Sequence, residues 1–77
     1  MALILDATTA WSSPVTLTED EVWQTRSGLV HVSTTGSPAA DDGLALTEGA
    51  AVQFAAGRSV RYRKTGTTAA IIVREAV

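Results

Sequence analysis

From Glu48 to Arg74 the chain reads EGAAVQFAAGRSVRYRKTGTTAAIIVR, short runs of alternating apolar and polar residues cut twice by glycine-bearing turns. That combination leaves little room for anything but antiparallel strands. Ala55-Ala56-Gly57 suits a three-residue loop ending in a left-handed glycine, and Thr65-Gly66 suits a two-residue loop. Closed as hairpins, these turns set Val52 opposite Val60, Val60 opposite Ile71, Tyr62 opposite Ala69 and Lys64 opposite Thr67. Val52, Phe54, Val60, Tyr62, Ala69, Ile71 and Val73 then share one face, and two independent turns agree on it.

The preceding sequence extends the pattern. Ser27-Gly28 reads as another two-residue loop, placing Trp23 opposite Val32 and Thr25 opposite Val30, with Trp23 in the core. Val22, Gln24 and Arg26 then share the other face with Leu29, His31 and Ser33. Pro14 to Thr18 alternates as a half-buried strand with Val15 and Leu17 inward, and proline stands at its start, where an amide donor is least missed. Glu19-Asp20 turns the chain. Thr35 to Gly43 carries turn formers without periodicity and reads as a surface loop; Gly43 to Leu46 is a short strand, and Thr47-Glu48-Gly49 is a turn. Ala2 to Leu5 forms a short apolar strand followed by a small, polar linker. Residues 1–13 are therefore an arm and linker ahead of a single β domain, 14–77. The arm's strand pairs either with its own sheet or with a neighbouring chain, and both satisfy the same backbone groups. Eleven threonines and closely spaced glycine turns favour strands, and no helix is expected. The expected fold is all-β, a small antiparallel β-sandwich or squashed barrel of about seven or eight short strands.

A chain of 77 residues buries a limited core, and domains of this size usually add disulfides, a metal or oligomerisation. Cysteine is absent and His31 is the one histidine, which leaves oligomerisation or docking to a larger assembly. The formal net charge of −2 gives no reason to expect nucleic-acid binding. Arg26 is the only basic residue up to Gly57, whereas Arg58, Arg61, Arg63, Lys64 and Arg74 follow; acidic and basic segments of this kind pair within a chain or between copies. The apolar runs Ala2–Leu5 and Ala69–Val73 are too short to span a membrane as helices, and no basic leader marks a secretory signal.

Catalytic patterns do not accompany the strands. His31 has no second histidine, cysteine or carboxylate at ligand spacing, so neither a metal nor a general-base role is expected. Asp41-Asp42-Gly43 lacks the further acids of a calcium loop and fits ordinary turn chemistry. No serine stands in a nucleophile elbow, and no glycine run opens a helix to cradle phosphate. No cofactor is expected. Trp11, in an uncharged linker, either covers the subunit's own core or anchors a partner. Arg61 and Arg63 alternate with Val60 and Tyr62 and form a basic stripe away from the core, either a solvated outer face or a dock for an acidic protein surface. Leu3, Ile4, Leu5, Trp11, Arg61 and Arg63 are thus the candidate partner contacts.

The run DDGLALTEGAAVQFAAGRSVRYRKTG, preceded by TEDEVWQTRSGLVHVS, resembles small proteins encoded among the structural genes of tailed bacteriophages and gene transfer agents. The shared forms are "WQxRSGxVxV" and "GxAVxFxAGxxVxYR", and the resemblance extends over residues 14–74. It implies a non-enzymatic virion component, a capsid decoration (cement) or spike-base protein. Such a protein would bind the major capsid protein or another virion protein as a symmetric oligomer and be assembled in the host cytoplasm. It implies no catalytic residue, and the net charge and short apolar runs give no expectation of a nucleic-acid or membrane partner. The alternative of another class is a small cupin-like or carbohydrate-binding module, in which "EGxxVxFxAG" is a shared turn device. A cupin enzyme would need several histidines and a carboxylate around a metal.

Overall fold

A computed structural model describes residues 1–39 and 42–77; Ala40 and Asp41, in the expected surface loop and at the start of the Asp41-Asp42-Gly43 turn, lie outside the described residues. Eight strands follow in order: β1 (Ala2–Ile4), β2 (Val15–Thr16), β3 (Glu21–Ser27), β4 (Val30–Ser33), β5 (Leu44–Leu46), β6 (Ala51–Phe54), β7 (Ser59–Lys64) and β8 (Ile71–Ala76). They build two four-stranded antiparallel sheets, β1-β8-β3-β6 and β2-β7-β4-β5, with no helix among the described residues. The expectation of a small all-β sandwich holds.

The pairing is nested. β1 joins β8, β2 joins β7, β3 joins β6 and β4 joins β5. The chain is one long antiparallel hairpin with its tip between β4 and β5, rolled up so that β3 also meets β8 and β4 also meets β7. That strand order is a jelly roll.

The rolled arrangement corrects the expected meander. β6, β7 and β8 do not pair with one another, because β6 and β8 lie in the first sheet and β7 in the second. Val60 faces Val15 across the ladder rather than Val52 or Ile71, and Tyr62 faces Val32 rather than Ala69. Lys64 faces Val30 rather than Thr67. Likewise β3 and β4 are not a hairpin, so Trp23 pairs with Val52 and Arg74, not Val32, and Thr25 pairs with Ile72, not Val30. The glycine turns are corners that carry the chain from one sheet to the other. A hairpin and a corner share one signature, since either turns two inward-alternating strands around a glycine. In the corner the two strands meet through side chains across the core rather than through backbone bonds.

The core follows from the inward positions of both sheets. Trp23, Val30, Val32, Val60 and Ile72 are fully buried, and Leu17, Ile4, Leu46, Phe54, Tyr62 and Ala70 complete the cluster. The Trp23 ring meets Phe54 edge-on, with centroids 5.7 Å apart, and tilts toward Tyr62. The expected inward parity is right through Tyr62 and slips at Ala69 and Ile71, whereas Val73, expected inward, is buried. Ile72 is buried, whereas Ile71 is half-buried and Ala69 exposed. The connection from β7 to β8 spans residues 65–70 instead of a two-residue loop, and its extra residues shift the alternation. Gly28, at φ 81°, makes room for it, because a Cβ there would lie 3.0 Å from the Ala69 carbonyl oxygen and 3.2 Å from Ala70.

Candidate docking surface

The six candidate contact residues fall into two groups. Leu3, Ile4 and Leu5 lie on and beside β1, at the edge of the first sheet, where Leu3 pairs with Val73 and Ile4 with Ile72. Of the two alternatives for this strand, pairing with its own sheet is the one adopted. Alternation sends Ile4 into the core and leaves Leu3 and Leu5 on the outside, 45% and 67% exposed. Met1 beside them is also exposed.

Trp11, Arg61 and Arg63 come together on the second sheet, and the linker is what joins them. Residues 7–13 run along the free side of β7. The Ser12 amide donates to the Tyr62 carbonyl at 2.9 Å and the Lys64 amide donates to the Thr8 carbonyl at 2.8 Å. The Ser12 hydroxyl oxygen accepts the Tyr62 amide at 3.0 Å. Both stripe arginines turn onto this segment. Arg61 Nη1 donates to the Ser12 carbonyl at 3.1 Å, and Arg63 Nε donates to the Thr9 carbonyl at 3.0 Å. The Arg63 guanidinium also lies 5.9 Å from the centre of the Trp11 ring. Trp11 Nε1 donates to the Ala39 carbonyl at 2.8 Å, tying the linker to the loop after β4. Gly43, at φ 92°, admits the indole edge: an added Cβ would run into the Val32 carbonyl oxygen and crowd Trp11 Cη2 at 3.1 Å. The basic stripe therefore fastens a strap of the same chain, which runs along β7 and reaches Ala39 and Gly43 through Trp11.

At the rim of the sandwich, beside Met1 and Ala2, one polar cluster escapes a reading of motifs. Glu21 is buried and receives both arms of Arg74, Nε on Oε1 at 2.8 Å and Nη2 on Oε2 at 2.9 Å. Its Oε1 also accepts Trp23 Nε1 at 3.1 Å, and the Arg74 guanidinium lies 5.2 Å from the Trp23 ring centre. The arginine fork, opposed by burial and aided by the indole, holds the Glu21 carboxyl below its ordinary range. A carboxylate held this way serves as a structural anion rather than a proton shuttle. The sequence signal was parity, since Glu21, Trp23 and Thr25 alternate onto one face of β3. Tyr62 donates its hydroxyl to Asp6 Oδ1 at 2.8 Å; burial first, then this bond, push the phenol upward. His31 Nδ1 lies 2.9 Å from the Thr65 hydroxyl. No group of three or more potential ligands gathers as for a metal ion among the described residues. Two depressions of about 410 Å³ each are shallow and open, and both are lined by Thr34, Leu44 and Phe54.

Neither a protein-family model, nor a curated protein, nor a solved structure matches the chain.

Proposed function

We propose that this protein is a non-enzymatic structural component of a virion or phage-like particle, docking on the capsid or another virion protein as a small symmetric oligomer. One observation carries the reading: large exposed hydrophobic side chains gather on and beside one free sheet edge. Met1, Leu3 and Leu5 are 73%, 45% and 67% exposed around β1, while the interior is filled by the protein's own side chains. Exposed apolar groups placed together are characteristic of protein contacts. The jelly-roll order adds support by analogy alone, since viral capsid domains, lectins and cupins all use it. The resemblance of residues 14–74 to small virion proteins points the same way.

The test is a density gradient of particles from cells producing them together with the protein. The protein should co-migrate with the major capsid protein in a fixed ratio, and Leu3→Lys with Leu5→Lys should lower that ratio severalfold while leaving the fold intact. A protein that stays at the top of the gradient, apart from the particles, overturns the reading.

A further inference from the structure

We propose that two copies of the protein join edge to edge along β1, their strands antiparallel about a twofold axis beside Leu3. This rests on reading the same edge as a docking surface, and it names the partner that takes its backbone. The ladder fixes which groups are available. The Thr25 amide bonds the Ala50 carbonyl, so odd residues of β3 face β6 and even residues face β8. The bond from the Val77 amide to the Asp20 carbonyl keeps the same phase. Val73 therefore turns its backbone to β3, while Ile72 and Arg74 turn theirs to Ile4 and Ala2. Leu3, the middle residue of β1, is left with its N–H and C=O pointing outward from the sheet.

An edge of this kind accepts a strand, and Ala2-Leu3-Ile4, though short, carries no charge, no proline and no bulge. The β2 edge of the second sheet contrasts with it, since Pro14 stands beside β2 and the Ser12 side chain takes the place of a backbone acceptor. A second β1 is self-complementary to the first. With Leu3 opposite its own copy, the two residues exchange both backbone bonds, Ala2 falls opposite Ile4, and Met1 falls opposite Leu5. The exposed side chains of Met1, Leu3 and Leu5 from both copies then merge into one apolar strip. A strand of three residues covers far less than the roughly 1,200 Å² of a standard interface, so dissociation constants between about 10 μM and 1 mM are expected in isolation. A closed pair would still bring two subunits to an assembly at once, where linkage multiplies affinity.

Sedimentation equilibrium on the full chain, up to about 1 mM, tests the proposal. Leu3→Pro removes an amide the protein's own ladder does not use, and Gln53→Pro does the same on the opposite edge strand, β6. Wild type and Gln53→Pro should both show a monomer–dimer equilibrium, and Leu3→Pro should weaken it at least tenfold. Should Leu3→Pro fail to fold, Leu3→Lys keeps the test, because two lysines facing each other across the axis oppose pairing. In this cysteine-free chain, oxidised Leu3→Cys should become a disulfide-linked dimer, since the axis sets that residue against itself. A wild type that is monomeric throughout, a Leu3→Pro protein that associates as wild type, or a Leu3→Cys protein that does not cross-link would each overturn it. A monomeric wild type that still co-migrates with particles would overturn this proposal and leave the docking reading standing; a dimer without affinity for particles would do the reverse.

Discussion

Glu21 stabilises the fold only while it is charged. Its folded value lies below the ordinary 4.5, so its contribution is complete above that pH and is lost as pH falls through the lowered value. The urea midpoint should drop below pH ~4.5, and Glu21→Gln should have an unfolding free energy lower by about 1–3 kcal/mol at pH 7 and a shallower acid limb. Tyr62 works at the other end: its phenol is raised from 10.0, so its contribution is complete below pH 10 and lost as pH rises through the raised value. Tyr62→Phe should flatten the alkaline limb. Thr25 is fully buried, and its hydroxyl has no hydrogen-bond partner among the described residues. Thr25→Val removes that orphan and is expected to raise the urea midpoint. Gly43→Ala should lower the unfolding free energy by about 1–3 kcal/mol, because both its φ and the Val32 carbonyl oppose a side chain.

The element that the sequence left most open is the strap. Alternation marked Arg61 and Arg63 as facing away from the core, and the geometry agrees, but alternation carries no information about what lies over them. Trp11 stood without periodic neighbours, so nothing local tied it to Ala39 or Gly43. Contacts made by an irregular segment depend on distant residues and leave no period to read. Trp11→Ala should loosen the strap without unfolding the sheets. Hydrogen exchange at the Tyr62 and Lys64 amides, which bond Ser12 and Thr8, should quicken about tenfold, equivalent to ~1.4 kcal/mol of local opening.

For the whole molecule, alternation and turn residues made the strand class and the inward residues Trp23, Phe54, Val60 and Tyr62 legible. Partner choice was not legible, because a corner between sheets and a hairpin within one demand the same glycines and the same binary pattern. The slip at Ile71 and Ile72 came from that ambiguity. The sandwich also closes on itself: its accessible area of 4322 Å² is close to the roughly 4,450 Å² of a compact monomer of 8.0 kDa. Residues 1–13 belong to that closure through Ile4, the β1–β8 ladder and the strap. Deleting them should abolish cooperative unfolding by heat, since loss of a buried isoleucine alone costs about 2–5 kcal/mol against a total of about 5–15.

Nested pairing also sets an order in time. Of the strands that pair, β4 and β5 are separated by the least chain, and once they meet, each outer pair closes only a short additional loop: β3 with β6, then β2 with β7, then β1 with β8. Folding that zips outward from the tip makes β4 and β5 early and β1 late. Destabilising changes at Val30 or Leu46 should slow folding, whereas those at Ile4 should chiefly speed unfolding, a contrast that stopped-flow measurements of both limbs would resolve. The last strand to arrive is β1, and its outward-facing backbone is completed only when the rest of the sheet is already in place.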